Sequence, residues 1–131
     1  MNKNLKSLIV GIILFSFLFG GSYLWRQRRD NDIKKNSRFT FGKIFKQTGS
    51  LKSGNQWHYK FSFNNHIYEG YKSDHVDYKI NTGDYFLINF SYKDPDHNKI
   101  LYDYKLKTYD STLISKVWEE IPEDFITSAK K

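Results

Sequence analysis

The sequence predicts a mainly β protein in which a single N-terminal transmembrane helix precedes a small five-stranded, mostly antiparallel barrel or sandwich with a short C-terminal helix. Residues 7–25 contain no charged side chain, and a helix needs about 20 apolar residues to cross a bilayer. Residues 39–106 alternate large apolar and polar side chains between turn residues, which is typical of half-buried strands. After Lys107, apolar residues recur at helical spacing.

These patterns divide the chain into four predicted parts. Residues 1–25 form the transmembrane anchor, 26–38 a basic juxtamembrane linker, 39–107 the β-domain and 108–131 a helical tail. Aromatic and basic side chains at the far end of the anchor favour the membrane interface; they are Tyr23, Trp25, Arg26, Arg28 and Arg29. A cleaved signal peptide is the alternative to the anchor, although no clean cleavage motif follows the long apolar core.

The anchor predicts a single-pass protein of a bacterial inner membrane, with the lipid bilayer as a partner. Only Lys3 and Lys6 carry positive charge before the apolar stretch, whereas six basic residues lie between positions 26 and 38. Positively charged flanks stay on the cytoplasmic side of a membrane. This count favours a cytoplasmic β-domain and leaves the opposite orientation open.

The charge distribution argues against a nucleic-acid-binding domain. The chain has a formal net charge of +7. Residues 1–38 carry eight basic and two acidic side chains, and residues 39–131 carry thirteen and twelve. A domain that binds nucleic acid concentrates positive charge on its own surface, and the predicted β-domain is close to neutral. The absence of cysteine excludes a disulfide scaffold and thiolate metal sites.

The strand predicted at residues 85–92 organises the β-domain. Gly83 and Asp84 form a turn before it, because glycine accepts positive φ and aspartate hydrogen-bonds its own backbone. Asp94 and Pro95 end it, since proline cannot donate to a sheet. One face of this strand and of the next carries the predicted core: Phe86, Ile88, Phe90, Tyr92, Ile100, Tyr102, Tyr104 and Leu106.

A β-hairpin is predicted before that strand, with Asn64 and Asn65 as its two-residue turn, because asparagine tolerates the left-handed region. This turn fixes the register of the two strands. It places Tyr59 over the bare backbone of Gly70, and it makes Lys60 and Glu69 a cross-strand ion pair. In the preceding strand, residues 39–48, Gly42 marks a bulge or a close backbone approach.

No cofactor, metal site or catalytic group is predicted. His58 and His66 fall on opposite faces of the hairpin, and His75 and His97 lie in polar loops. None of these matches a zinc or calcium spacing, and no nucleophile or phosphate-binding motif occurs. The sequence therefore predicts a protein that is not an enzyme and identifies no small-molecule substrate.

The order of these motifs resembles a bacterial family of small membrane-attached β-domains, domain of unknown function 3592. The motifs lie within Phe39–Leu106 and follow the apolar helix: Thr40-x-Gly42, Tyr68-x-Gly70, Gly83-Asp84-Tyr85 and Lys93-Asp94-Pro95. The resemblance implies a membrane-attached β-domain and carries no established activity. The chain departs from many relatives by lacking a second membrane helix after the domain.

The predicted function is that of a tethered, non-catalytic protein-interaction module. Loops carry binding residues on a rigid scaffold, and three loops are predicted to form the binding surface: Gly49–Asn55, Ser73–Lys79 and Asp94–Asn98. The first alternative is an immunity-like or envelope accessory protein that binds one protein partner. The second is a small hydrolase or metal-binding domain.

Overall fold

The computed structural model describes residues 2–50 and 54–130 of the chain. Its contacts divide it into two units, Met1–Asn31 and Asp32–Lys131. Each unit is described by itself. The predicted loop Gly49–Asn55 lies partly outside the described residues, because positions 51–53 fall in the gap.

Helix α1 runs from Lys3 to Lys35 and therefore continues through most of the segment predicted as a linker. Among the described residues, no helix is long and apolar enough to cross a membrane. The predicted transmembrane helix, its single-pass topology and the membrane localisation are therefore wrong, and the orientation inferred from Lys3 and Lys6 loses its premise.

The prediction of an anchor rested on the absence of charge over residues 7–25. This is a weaker condition than the continuous apolar length that a span requires. Serine and glycine residues at positions 7, 11, 16 and 20–22 carry no charge and still interrupt the apolar run.

The second unit is built on one antiparallel sheet. Six strands take part, in the order β3-β2-β1-β4-β5-β6. They are β1 (Ser37–Ser50), β2 (Gly54–Phe63), β3 (His66–Ser73), β4 (Tyr85–Ser91), β5 (Asn98–Leu106) and β6 (Ile126–Thr127). The five predicted strands are present, but a short sixth strand from the C-terminal segment joins them. The strands belong to one sheet rather than to a sandwich of two.

Strand β1 is central because its two halves have different partners. Ser37–Lys43 pairs with β4, and Lys43–Ser50 pairs with β2. The edge of the first half is covered by Trp118, whose N–H and C=O bond Phe39 at 2.8 Å each. An unpaired strand edge buried without such a partner would be costly, so the C-terminal segment completes the sheet.

The β2–β3 hairpin has the predicted register. Phe61 pairs with Tyr68, Lys60 with Glu69 and Tyr59 with Gly70, which confirms the prediction. The expected ion pair does not form within the described residues. The Lys60 Nζ instead lies 5.4 Å from the ring centroid of Phe45.

The sheet buries side chains on both faces. The inner cluster contains Trp57, Tyr59, Phe61, Phe86, Phe90 and Tyr102 among others. The outer cluster is formed by Phe41, Leu87, Leu106 and Leu113. On β5, Ile100 and Tyr102 join the inner cluster as predicted, but Tyr104 and Leu106 lie on the outer side. A bulge between Leu101 and Lys105 causes this change, because extra residues reverse the alternation.

The sheet coils so that β3 approaches β5. The Tyr59 hydroxyl donates a buried hydrogen bond to Asn98 Oδ1 at 2.6 Å. The Tyr102 hydroxyl lies 3.3 Å from the carbonyl oxygens of both Lys72 and Ser73, and burial, with Asp74 nearby, raises its pKa so that it stays a neutral donor. These polar bonds join β5 to β2 and to β3, and they close the inner core where no strand ladder connects these strands.

The C-terminal segment has less helix than predicted. Helix α2 (Ser111–Ile114) is a single turn whose N-cap Asp110 accepts from the Thr112 N–H at 2.9 Å. A short 3₁₀ turn follows at Glu123–Phe125. The apolar residues at helical spacing therefore pack in the outer cluster from turns and an extended segment. The extended conformation replaces a helix because Trp118 pairs with β1.

Candidate functional site

The most polar cluster of the second unit joins the end of α1 to the turn between β4 and β5. His97 Nδ1 lies 2.7 Å from Asp32 Oδ2, and Asn36 Nδ2 donates to Asp32 Oδ1 at 2.7 Å. His97 Nε2 lies 3.5 Å from Asp94 Oδ2. Burial opposes ionisation of Asp32, but hydrogen bonds from His97, Asn36 and Ser91 together hold its pKa below the usual value. Asp32 is therefore a fixed anion.

This cluster contains the residue types of a catalytic triad in the wrong order. In a triad, histidine lies between the carboxylate and the nucleophile. Here Asp32 lies between Ser91 and His97. The Ser91 hydroxyl is buried and accepts from the N–H groups of Lys93 and Asp94 at 3.2 Å. The arrangement ties the chain together and does not activate a nucleophile.

The three predicted binding loops do not form one described surface. Asp74 N–H donates to the carbonyl of Asn55 at 2.8 Å, so the described end of the first loop meets the second. Asp74 also accepts from Trp57 Nε1 at 3.1 Å. The third loop lies instead with Asp32, through His97.

The described side chains give no support for a metal-binding site. Within residues 2–50 and 54–130, no group of three or more His, Cys, Asp or Glu side chains could hold a metal ion. The carboxylates near His75 are engaged locally: Asp74 accepts from the His75 N–H at 3.0 Å, and Asp103 accepts from the Tyr78 hydroxyl. This bond is the main cause of the raised pKa of Tyr78.

The glycine and asparagine residues predicted as turns lie where the backbone requires them. Asn64 and Asn65 have φ values of 49° and 63°, and Gly83 has 97°. Gly42 allows a close approach, because an added Cβ would lie 2.6 Å from Ile88 Cγ1. Gly70 lies against Tyr59 and Asn98.

The remaining predicted turn residues stabilise their loops with polar groups. Asp84 Oδ2 accepts from the Asn81 N–H at 2.9 Å and lies 3.2 Å from Lys105 Nζ. Asp94 contacts His97, and the Pro95 carbonyl accepts from Asn98 Nδ2 at 3.0 Å. These contacts position the strands.

The residues predicted for the membrane interface all lie on α1. Tyr23 and Trp25 are exposed, and the Arg29 guanidinium lies 5.5 Å from the Trp25 ring centroid. Arg29 also forms an ion pair with Asp30 at 3.4 Å. Arg26 and Arg28 are exposed on the same helix.

A surface that the sequence did not predict crosses β1, β2 and β3 on the outer side of the sheet. We call it the hairpin face and define it by Phe45, His58, Lys60, Ile67 and Tyr71. Its rings form a row across the three strands: Phe45 to His58 at 6.3 Å and His58 to Tyr71 at 5.7 Å between centroids. Ile67 is 70% and Tyr71 66% exposed. These two apolar side chains of β3 therefore face solvent on the same side of the sheet, with Glu69 between them.

His58 is held in place within this row. Thr48 Oγ1 lies 2.7 Å from His58 Nε2, and the Lys60 ammonium lies against the face of Phe45. Phe45 lies on the same side of β1 as Phe41 and Lys43 by strand alternation, and a β-bulge between Ile44 and Lys46 places Lys46 rather than Phe45 opposite His58. The result is an ordered aromatic surface.

An apolar groove of about 200 Å³ adjoins the hairpin face. Phe41, Tyr85, Ile67 and Ile114 supply most of its apolar lining, from β1, β4, β3 and α2 respectively. Lys43 and Lys60 also line it. These two lysines are directly opposite each other in the β1–β2 ladder, and like charges in that position repel.

Comparison with models of protein families, with curated proteins and with solved structures finds no match. The resemblance to domain of unknown function 3592 therefore stays a prediction.

Part of the hairpin face could have been found in the sequence. The confirmed register places Ile67 opposite Ser62 and Tyr71 opposite His58, on the face that alternation makes polar. An isoleucine and a tyrosine at such positions are a signal of an exposed apolar patch. The groove carries no sequence signal, because Ile114 is distant in the chain.

Proposed function

We propose that this protein is a non-catalytic protein-interaction module that binds its partner on the hairpin face. The observation that carries the proposal is the shared exposure of Ile67 and Tyr71 beside an ordered aromatic row. Exposed apolar side chains interspersed with charged ones on one face are typical of protein-binding surfaces.

The composition of the face supports a protein partner. Tyrosine and other aromatic residues are enriched in interfaces, where large rigid rings bury much area at low entropic cost. The row Phe45–His58–Tyr71 is already packed in the free protein. A surface that is ordered before binding loses less conformational entropy when the partner arrives.

Local charge favours an acidic partner. Lys43, Lys46 and Lys60 lie on or beside the face, with Glu69 as the acidic side chain paired opposite Lys60. Complementary charge speeds association and excludes partners of like charge. We therefore expect a partner segment that combines acidic and large apolar side chains.

Peptide selection on the immobilised full chain tests this proposal. We expect enriched peptides to lose at least about tenfold in affinity for Ile67→Asp, because the substitution places a charge in the apolar contact. Fluorescence anisotropy of a labelled selected peptide provides the measurement.

Val76→Asp is the matched control. Val76 is 84% exposed and lies in the loop predicted from the sequence as a binding surface. Unchanged binding to this variant supports the hairpin face. Binding that is lost in Val76→Asp and kept in Ile67→Asp would move the site to the loop and contradict the proposal.

A further inference from the structure

The groove beside the hairpin face combines two chemical features in one place. Its lining is mainly apolar, and Lys43 and Lys60 are its two cationic side chains. Within the described residues, neither lysine forms an ion pair. An apolar cavity of about 150 Å³ can hold a benzene molecule, so a groove of about 200 Å³ has room for one large apolar side chain.

The pairing of the two lysines is the unusual feature. Lys43 and Lys60 are cross-strand neighbours, where an opposite-charge pair would stabilise the sheet and a like-charge pair destabilises it. Local conflicts of this kind concentrate at functional sites. An anion placed between the two ammonium groups would remove the repulsion.

We propose that the groove is a specificity pocket for a partner residue whose large apolar side chain lies next to a carboxylate. This inference rests on the proposed function, because it names the chemistry that the hairpin face recognises. The apolar side chain enters between Ile67 and Ile114, and the carboxylate contacts Lys43 and Lys60. Hydrogen bonds between ammonium and carboxylate groups are among the stronger ones in proteins.

The carboxylate is that of an acidic side chain beside the apolar residue, and N-acetyl-glutamyl-phenylalanine amide represents it. N-acetylphenylalanine carries a C-terminal carboxylate instead, and binding of this probe alone would overturn the assignment. N-acetylphenylalanine amide keeps the ring and lacks the carboxylate. It separates apolar binding from recognition of the anion.

Titration of the ¹⁵N-labelled full chain with these three probes tests the pocket. We expect N-acetyl-glutamyl-phenylalanine amide to shift the amide resonances of Ser62, Ile67 and Ser115, which lie around the groove. The amide probe should bind about tenfold more weakly, because it lacks the charge-assisted bonds. The double variant Lys43→Met with Lys60→Met should bind the carboxylate probe about tenfold more weakly, for the same reason.

Two controls separate recognition of the anion from general effects of charge and folding. Lys99→Met removes an exposed lysine of β5 that does not line the groove, and should change affinity less than twofold. Lys43→Arg with Lys60→Arg keeps both charges and should keep binding.

The outcomes also separate this pocket from the proposed function. Equal binding of the carboxylate and amide probes, or no shift with any probe, overturns the pocket. In that case, selected peptides that still require Ile67 leave the hairpin face as the binding surface. Loss of both effects would overturn both proposals.

Discussion

Replacing Phe90 with alanine is expected to lower the free energy of unfolding by about 3–5 kcal/mol, the range for deleting a fully buried phenylalanine. Phe90 is fully buried, and its ring centroid lies 5.1 Å from that of Phe61 and 4.9 Å from that of Phe63. The inner face of β4 therefore contacts β2 of the hairpin at two positions through this side chain. Urea unfolding followed by tryptophan fluorescence measures the loss.

Phe45→Ala is the matched control, because it removes the same atoms from the partly exposed hairpin face. We expect a loss below about 1.5 kcal/mol there, since surface sites have small effects. Similar losses for the two variants would contradict the assignment of inner and outer faces.

Replacing Gly70 with alanine is expected to destabilise the β-domain by about 2–4 kcal/mol, through overpacking and loss of a buried hydrogen bond. An added Cβ would collide with Asn98 Oδ1 and the Tyr59 hydroxyl oxygen, which bond each other at 2.6 Å. The variant therefore tests the closure between β3 and β5. Thermal and urea unfolding give its size.

Tyr59→Phe isolates the hydrogen bond from the collision. Alone it should cost about 1–2 kcal/mol, because Asn98 Oδ1 loses its buried donor. The double variant should lose less free energy of unfolding than the two single variants lose in sum, since the groups are in contact. Strict additivity, or a loss below about 1 kcal/mol for Gly70→Ala, would contradict the described closure.

The hairpin could be predicted from the sequence because its determinants are local. Asn64 and Asn65 set the turn, and one register then satisfies Gly70 and the aromatic residues of β2 together. The two faces of β4 could be predicted from the sequence equally well, since Phe86, Ile88 and Phe90 fill one face of a regular strand.

Elements fixed by tertiary structure could not be read in this way. The bulge in β5 turns Tyr104 to the outer side, and the bulge in β1 places Lys46 opposite His58. Neither position carries a glycine or proline that marks it. Trp118 matches a helical spacing, yet it pairs with β1 because that strand has an uncovered edge.

The candidate site could be predicted only in part from the sequence, for the same reason. Ile67 and Tyr71 are local signals on the polar face of a predicted hairpin, whereas the groove needs α2 beside β1. The opposition of Lys43 and Lys60 depends on the β1–β2 register, which no two-residue turn fixes.

The rate at which a single introduced cysteine reacts with a maleimide tests the hairpin face most directly, because a bound partner slows the reaction at the residues that it covers. The chain contains no natural cysteine, so each variant has one reactive thiol. The Ile67→Cys and Val76→Cys variants, each produced at native level in the cells that express the protein, are labelled with a maleimide in fresh extract and again after purification. Both positions are highly exposed in the structure. The account predicts that the thiol of Ile67→Cys reacts several-fold more slowly in extract than when purified, while the thiol of Val76→Cys reacts equally in both. Equal reactivity of the Ile67→Cys thiol in the two samples, or shielding confined to Val76→Cys, would contradict it.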